Sequence, residues 1–318
     1  MALTLVVERD RWREHLDRAA SARPGLVPVV KGNGYGFGRP RLLAECARLG
    51  LREVAVGTAW ELDGLAADQR AVVLTPCTAA DAAALTAAAI PTVGERRDVT
   101  VLLDAGWSGP VVVKLRSSMR RYGVAPTELA DLLTAVADAG QAVQALAIHF
   151  PLRTTSAQHT AELAAWLPRL PAACTVHVSH VDPADLSQLS MLAAGRRLRP
   201  RVGTGLWLGE RRALHLVADV VAVHPVGTGE PAGYRQVPAP SDGHLVLVSA
   251  GTAHGVHPLD DGRSPFHFAR TRLDLLEPPH MHTSMLHVPS GGACPEPGDH
   301  VDVQRPLTRV APDRILDR

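Results

Sequence analysis

The chain has 318 residues, of which 20% are charged and 46% hydrophobic, and its formal net charge at pH 7 is +1. This composition leaves room for a large core and for two domains, and the near-zero charge argues against nucleic acid or a membrane surface as a partner. The opening MALTLVVERDRWREH and four dispersed cysteines without a CxxC pair predict a reduced, cytoplasmic protein without a signal peptide or a membrane anchor.

From residue 25 to about 210, short β-branched runs alternate with alanine-rich helical stretches. The strand runs are continuously apolar, which is typical of parallel strands that are buried on both faces. Eight such units predict a (β/α)8 TIM barrel, and a doubly wound sheet is the alternative. The predicted strands cover 27–31, 53–57, 71–76, 90–94, 110–116, 144–150, 175–180 and 199–203, and the predicted helices include 39–50, 58–67, 79–89, 126–140 and 156–167.

The pattern changes at about residue 211. Alternating runs such as LHLVADVVAVHPV, GHLVLVSAG, HTSMLHVP and DHVDVQRPL are separated by turns rich in proline and glycine, and no convincing helix follows. This half predicts a small antiparallel β domain. The expected organisation is therefore a barrel over residues 1–210 followed by a β domain over residues 211–318.

The first predicted strand ends in a lysine, one of only two in the chain, Lys31 and Lys114. Active sites of β/α barrels lie at the C-terminal ends of the strands, so Lys31 is expected at the barrel mouth. Desolvation there would lower its pKa and free the amine to attack a carbonyl group. The glycines of the following GNGYGFG would let backbone approach a bulky ligand. The alternative is a rim lysine beside an ordinary glycine turn.

The stretch VVKGNGYGFG resembles the cofactor-lysine motif of the alanine racemase family, VVKANAYGHG, whose members are fold-type III enzymes that use pyridoxal 5'-phosphate (PLP). Six further segments resemble family motifs in the same order along the chain. They are VGTAWELDGL (56–65), KLRSSMRRYG (114–123), AIHF (147–150), RPRVGTGLWLG (199–209), VSAGTAHGV (248–256) and HTSMLHVP (282–289).

The resemblance implies a role in holding PLP for several residues. Lys31 would bind the cofactor covalently and abstract the substrate α-proton, and Arg201 would face the pyridine nitrogen, which it would keep unprotonated. Tyr35 would hydrogen-bond the phosphate, to which Gly203 and Thr204 would offer backbone N–H groups.

The resemblance also implies supporting roles at the predicted strand ends. Ser179 is the expected phosphate serine, although His180 could take that role. His149 would belong to the hydrogen-bond chain behind the active site. Arg121 would lie near the substrate carboxylate. Lys114 matches a lysine that is carbamylated in some members, and Met285 would contribute to substrate binding.

The chain departs from the family pattern at the second proton-transfer group. The family's G-Y-A-D-G-Y corresponds to residues 251–256, so Thr252 replaces the tyrosine and His254 the aspartate. Threonine is a poor acid, whereas a histidine has a pKa suited to proton transfer. Two residues along a strand keep a side chain on one face, so His254 is the best candidate for the second base. Leu286 also replaces the aspartate that follows the family's I-S-M.

Three functions are consistent with this sequence. The first is a PLP-dependent amino acid racemase that interconverts L- and D-amino acids. The second is another PLP reaction, such as one-base proton exchange, decarboxylation or elimination, and the third is PLP binding without turnover. The retained β domain favours catalysis in a homodimer with shared active sites, on a small amino acid substrate of unspecified identity.

A metal site is the remaining hypothesis. The stretch PPHMHTSMLH contains His280, His282 and His287, and an H-x-H on a strand places two imidazoles on one face. The stretch itself contains no carboxylate or cysteine that would complete a ligand set, so no metal is expected.

Overall fold

The computed structural model describes residues 2–193 and 195–318. The chain divides into two compact units. The barrel unit comprises His15–Gly34 and Arg39–Gly209, and the β unit comprises Met1–Glu14, Tyr35–Gly38 and Glu210–Arg318. Among the described residues, no helix is both long enough and apolar enough to span a membrane.

The described regular elements are nineteen strands and eight α-helices. The strands are β1 Leu3–Val7, β2 Val27–Pro28, β3 Glu53–Val56, β4 Arg70–Val73, β5 Ala89–Val93, β6 Val111–Lys114, β7 Val143–Ala147, β8 Thr175–Ser179, β9 Arg197–Val202, β10 Leu214–Val226, β11 Pro231–Ala232, β12 Val237–Pro238, β13 Gly243–Val248, β14 Phe266–Phe268, β15 Thr271–Arg272, β16 Asp274–Leu275, β17 Ser284–Pro289, β18 His300–Val303 and β19 Arg314–Asp317. The helices are α1 Arg9–Ser21, α2 Arg39–Arg48, α3 Ala79–Ala83, α4 Arg96–Asp104, α5 Leu129–Asp138, α6 Ser156–Trp166, α7 Pro183–Leu192 and α8 Thr204–Trp207.

Eight parallel strands form the barrel, in the order β2-β9-β8-β7-β6-β5-β4-β3. A single parallel bridge between Val29 and Ala55 joins the two ends, and the Val30 N–H donates to the Ala55 carbonyl at 2.7 Å. The predicted TIM barrel and the following antiparallel β domain are therefore confirmed. Strand β2 ends at Pro28, earlier than predicted, because the chain then turns from β9 to β3: the Val29 N–H donates to Val202 and the Val30 N–H to Ala55.

The barrel interior is filled by small and β-branched side chains. This core consists of Val27, Val29, Ala55, Val72, Ile90, Val112, Ala145 and Ala147, all buried.

A polar group lies where strands β3 and β9 begin. Glu53 accepts hydrogen bonds from Arg199 Nη1 at 2.6 Å and from Gln144 Nε2 at 2.5 Å, and His177 Nε2 lies 3.3 Å from its Oε1. Because the active end of such a barrel is the opposite end, this group serves stability.

Two predicted helices are shorter in the structure. The stretch 58–67 contains only a 3-10 turn, Ala59–Glu61, because the Glu61 carboxylate accepts backbone N–H bonds from neighbouring loops and Gly64 turns the chain at φ 82°. In the stretch 79–89 only α3 is helical. Ala89, the last residue of the stretch, is already the first residue of β5.

The β unit is built on a nine-stranded sheet, in which seven strands follow the order β15-β14-β18-β10-β13-β17-β16. The N-terminal strand differs from its predicted place in the barrel domain. Strand β1 pairs antiparallel with β10 and parallel with β19, and all five of its residues are buried. Its largely apolar sequence is explained by this position between two other strands of the β unit.

Candidate functional site

Lys31 lies directly after β2, at the C-terminal end of the barrel strands. Partial desolvation is the largest cause that lowers its pKa, and Arg121 and Arg201 lower it further, whereas Glu61 acts in the opposite direction. The side chain remains accessible to solvent. Lys31 is therefore an amine that loses its proton more easily than an ordinary lysine, and the neutral amine is the nucleophilic form.

Glu61 fixes the backbone around Lys31. Its Oε1 accepts a hydrogen bond from the Gly32 N–H at 2.9 Å, and its Oε2 accepts one from the Gly57 N–H at 2.6 Å. A single carboxylate therefore joins the loops that follow β2 and β3. The sequence did not single out Glu61, although it lies inside the VGTAWELDGL segment.

The backbone geometry after Lys31 explains why glycine is needed there. Gly34 has φ 61°, and a Cβ atom there would lie 2.6 Å from the Arg39 backbone nitrogen, at the start of α2. Only glycine can make this turn without strain. Tyr35 also has a positive φ, 56°, and is buried, but it belongs to the β unit segment Tyr35–Gly38.

Two further cations are buried in the barrel unit. Arg201, on β9, is 6% exposed and donates from Nη2 to the Ile148 carbonyl at 3.3 Å. Burial lowers its pKa to about 10, so it remains charged at neutral pH. Lys114, on β6, is 5% exposed, and burial together with the positive charges of Arg201 and Arg121 holds its pKa well below the ordinary value.

Arg121 is the fourth basic residue of this group and is exposed. Its guanidinium lies 4.6 Å from the centre of the Tyr122 ring, a cation–π contact that limits its orientations. The group can compensate several negative charges. It therefore suits a ligand with a phosphate and a carboxylate better than a neutral or cationic one.

His149 and Ser179 form a hydrogen-bonded pair at the ends of β7 and β8. The Ser179 Oγ lies 2.7 Å from His149 Nδ1 and also accepts the Phe150 N–H at 3.3 Å. Burial and the charges of Arg201 and Lys114 lower the pKa of His149 to about 2, so the imidazole is neutral. Ser179 thus positions His149. The sequence predicted only a contact between Ser179 and a phosphate.

His180 follows β8, and only one of its two ring nitrogens has a hydrogen-bond partner within residues 2–193 and 195–318. Its Nδ1 lies 2.9 Å from the Phe150 carbonyl and must carry the proton, which leaves Nε2 unprotonated in the neutral ring. The backbone has φ 57°, which is uncommon for a residue other than glycine. Its carbonyl accepts from His159 Nδ1 at 2.9 Å, so this conformation is held from two sides.

Gly203 and Thr204 occupy the junction between β9 and the short helix α8. The Gly203 carbonyl accepts hydrogen bonds from the Leu206 and Trp207 amides, which starts the helix. The first amides of any helix have no partner within it and point away from its N-terminus. These two residues are therefore placed so that they can offer backbone N–H groups to an anion.

Thr252, His254 and Met285 belong to the β unit. The chain leaves the sheet at Val248, the last residue of β13, and residues 252–254 form a 3-10 turn. The prediction that Thr252 and His254 lie on one face of a strand is therefore wrong. His254 is buried. Its Nδ1 accepts the Gly251 N–H at 3.1 Å, and its Nε2 lies 3.2 Å from the Asp313 carboxylate. Met285, on β17, packs partly buried against an apolar cluster of this unit.

The histidines of PPHMHTSMLH do not share a strand face. His280 and His282 precede β17, whereas His287 lies within it, buried, with its Nε2 2.9 Å from the Ser241 carbonyl. Within residues 2–193 and 195–318, no three histidine, cysteine, aspartate or glutamate side chains are grouped as a metal site requires. His280 instead pairs with Glu277, a partner that the sequence did not indicate.

Comparison with known proteins identifies the family of this chain. Residues 7–181 match the family model for the N-terminal domain of alanine racemase. An alanine racemase from Mycolicibacterium vanbaalenii is 30% identical in an alignment of 275 residues, gaps included, that covers 77% of this chain and 68% of that protein. One from Dinoroseobacter shibae is 28% identical in an alignment of the same length that covers 80% of this chain and 75% of that protein.

Solved structures agree on the fold. The Bartonella henselae alanine racemase with covalently bound pyridoxal phosphate is 16% identical, with a TM-score of 0.74 and 98% of both chains covered. The biosynthetic alanine racemase of Pseudomonas aeruginosa is 21% identical, with a TM-score of 0.71 and coverage of 100% of this chain and 99% of that one. Since the family model alone spans more than half of the sequence, the chain belongs to the alanine racemase family.

Proposed function

We propose that this protein is a PLP-dependent amino acid racemase, which interconverts L- and D-amino acids by abstraction of the α-proton from the cofactor-bound substrate. The observation that carries the proposal is the barrel mouth itself. A lysine with a lowered pKa lies there within the electrostatic influence of two arginines, one of them buried. A cofactor with an aldehyde, a phosphate and a ring nitrogen fits this combination of an amine and cations.

The chain's own residues divide the work of holding PLP. Lys31 supplies the amine for the covalent bond, and the Glu61 carboxylate keeps the Lys31 loop in place. Bound PLP would withdraw electrons from the substrate and so make its α-proton acidic. Arg201 would face the ring nitrogen, because a buried guanidinium that remains charged cannot protonate that nitrogen.

The phosphate is assigned to Tyr35, Gly203, Thr204 and a group at the end of β8. Ser179 is the predicted group, but its hydroxyl already contacts His149 and the Phe150 N–H. A bound phosphate would have to share or displace these bonds. His180 is therefore the alternative phosphate ligand, since its Nε2 has no hydrogen-bond partner within the described part of the chain and would donate once the ring is protonated.

Substrate binding is assigned to Arg121 and Met285. Arg121 is exposed, and its contact with the Tyr122 ring orients the guanidinium for a carboxylate. His149, neutral because of burial and the nearby cations, contacts Ser179 as part of the supporting polar network. Proton abstraction by Lys31 then requires only the neutral amine that its lowered pKa favours.

Thr252 and His254 remain the predicted second proton-transfer pair. They lie in the β unit, so we propose that the enzyme is a homodimer in which the β unit of one subunit completes the active site of its partner. Both ring nitrogens of His254 already have partners, and proton transfer by this residue would require it to leave Asp313. A cytoplasmic location is proposed on the four cysteines, which form no disulfide.

The test begins with cofactor loading. Purified protein incubated with PLP is reduced with borohydride, digested and examined by mass spectrometry, and the expected result is a phosphopyridoxyl adduct on Lys31. K31A and K114A serve as a pair, because only the first should lose the adduct. Absence of the adduct from wild-type protein would refute the proposal.

Reaction type is decided with L- and D-alanine in deuterated water. Exchange of the α-proton with inversion supports racemisation. Exchange with retained chirality would indicate a one-base enzyme, loss of carbon dioxide a decarboxylase, and adduct formation without any exchange a PLP-binding protein. Pyruvate formed in a parallel incubation with serine, whose β-hydroxyl group can leave, would indicate an elimination. Each of these four outcomes would replace the racemase assignment.

A further inference from the structure

A cavity of about 590 Å³ lies within the barrel unit, between the loop that follows β6 and helix α6. Five of the residues that line it belong to the loop between β6 and α5, and five belong to α6 or to the turn before it. None of the described residues that line it is assigned above to PLP or to the substrate. The cavity is therefore a feature separate from the lysine site.

The acceptor groups on the loop side of the cavity are already bonded within the protein. The Glu162 carboxylate, from α6, accepts the Ser118 N–H at 2.6 Å and the Ser118 hydroxyl at 2.8 Å. The Ser117 hydroxyl donates to the His149 carbonyl at 2.6 Å. These bonds hold the loop against α6 and against the end of β7.

The groups on the α6 side are engaged in the same way. The Thr154 hydroxyl donates to the Pro151 carbonyl at 3.0 Å. His159 is buried, and its Nδ1 and Nε2 lie 2.9 Å from the His180 carbonyl and 3.1 Å from the Pro151 carbonyl, respectively. Neither side chain is left with an unused polar group for a ligand.

Arg120 differs from these residues because its guanidinium has no hydrogen-bond or ion-pair partner in the described part of the chain, although it lines the cavity. Its backbone has φ 54°, a left-handed conformation that is uncommon outside glycine, and its N–H donates to the Ser117 carbonyl at 2.9 Å. Conformations of this kind are concentrated at functional sites.

Two neighbours add further donors to the cavity wall. The side-chain oxygen of Gln158 accepts the Thr155 N–H at 2.8 Å, and its amide NH₂ has no partner among the described residues. The Arg116 Nε donates to the Gly123 carbonyl at 2.9 Å. Its Nη2 lies 3.8 Å from the exposed Glu128 carboxylate, a distance and a setting that make this ion pair weak.

The polar groups that remain unused are therefore all donors, and two of them belong to arginines. A ligand that complements them must supply acceptor oxygens and negative charge. The Glu162 carboxylate lies on the same wall and repels a second negative charge, which favours a monoanion over a doubly charged phosphate. Trp166 and Pro126 provide apolar surface, so the rest of the ligand should be organic.

We propose that this cavity is a binding site for a small organic monocarboxylate. The carboxylate oxygens accept hydrogen bonds from the guanidinium groups of Arg120 and Arg116, and the apolar part packs against Trp166 and Pro126. The site does not depend on the proposed racemase function, because none of its residues takes part in that reaction.

The test uses benzoate as the probe and benzamide as its uncharged counterpart. The full chain is incubated with PLP, and binding is measured by isothermal titration calorimetry. Benzoate should bind once per chain, and benzamide should bind about 10-fold more weakly or less, since it lacks the charge that strengthens the bonds to arginine. Absence of benzoate binding at millimolar concentration, or equal affinities for the two probes, would overturn the proposal.

Variants of neighbouring arginines locate the bound probe. R120G removes the guanidinium at a position whose φ suits glycine, so it should fold and yet bind benzoate about 10-fold more weakly or less. R120M should show the same loss. R153M, which changes an exposed arginine outside the cavity wall, is the matched control and should bind as wild type does. Loss of binding in R121M with full binding in R120G would place benzoate at the barrel mouth and overturn the assignment.

A second readout comes from the five tryptophans of the chain. In NMR spectra of protein labelled with nitrogen-15 at the indoles, benzoate should shift the Trp166 resonance, which is assigned by its absence in W166F. Shifts confined to other indoles would contradict the proposed position. Neither measurement uses turnover or the Lys31 adduct. A failed racemase assay would therefore leave this site standing, and loss of benzoate binding would leave the racemase proposal standing.

Discussion

Lys114 provides the sharpest test of the electrostatics of the barrel mouth. It is 5% exposed, and the neighbouring charges that act on it, those of Arg201 and Arg121, have the same sign as its own. Its folded pKa is therefore well below the ordinary value of 10.5, and the unfolded chain binds the proton more tightly than the folded one. We expect K114M to remove this disadvantage and to stabilise the cofactor-free protein at neutral pH.

The size of the effect follows from proton linkage. Between the lowered folded pKa and 10.5, the unfolded state holds one more proton, so wild-type stability rises with pH by about 1.4 kcal/mol per unit. K114M lacks this contribution. The difference in unfolding free energy between the two proteins should therefore shrink as the pH rises from the lowered folded pKa towards 10.5, by at most about 1.4 kcal/mol per pH unit.

The assay is urea unfolding of both proteins without PLP, in buffer free of carbon dioxide so that no carbamate forms on Lys114. R52M serves as control, because Arg52 carries the same charge on a side chain that is 78% exposed. Its stability profile should run parallel to that of wild type. Parallel profiles for K114M and wild type would show that folded Lys114 stays charged, and would refute the reasoning.

Three other changes test the barrel. E53Q weakens the bond to Arg199 and should lower the free energy of unfolding by about 3 kcal/mol at neutral pH. Burial would raise the pKa of Glu53, but His177 and Arg199 lower it below 4.5 in the folded state. The stabilisation by ionised Glu53 is therefore present above pH 4.5 and is lost as the pH falls through the folded pKa. Equal differences between the urea midpoints of wild type and E53Q at neutral and at acidic pH would contradict this. W207F removes the 2.8 Å hydrogen bond from the Trp207 indole N–H to the Val29 carbonyl and should lower the free energy of unfolding by about 1–3 kcal/mol in the same assay. An unchanged free energy of unfolding would contradict this. G34A places a Cβ atom against the first amide of α2 and should lower both stability and PLP affinity, measured by thermal unfolding and cofactor titration.

The barrel was predictable because each strand is a short apolar run that must be buried on both faces. Lys31 was predictable for the same reason, as a charged residue at the end of such a run. The helix 58–67 was not, because its composition favours a helix while the Glu61 carboxylate and a glycine turn impose a loop. At these residues the hydrogen bonds of Glu61 outweigh the helix propensity of the sequence.

Pairings between distant residues lay beyond the sequence. Nothing in PPHMH indicates that His280 meets a glutamate whose carboxylate is held by the turn at Tyr234, more than forty positions earlier. The same limit applied to strand β1, since an isolated LTLVV does not specify which sheet it joins. The motif positions could be read from residue types, but the tautomers and the orienting partners required coordinates.

The position of β1 has a consequence for folding. Leu5 is in register with both Leu216 of β10 and Ile315 of β19, so this part of the sheet can close only when three segments that are far apart in the chain come together. Expressed alone from residue 211, the β unit would lack this strand and expose two unsatisfied backbone edges, which invites aggregation.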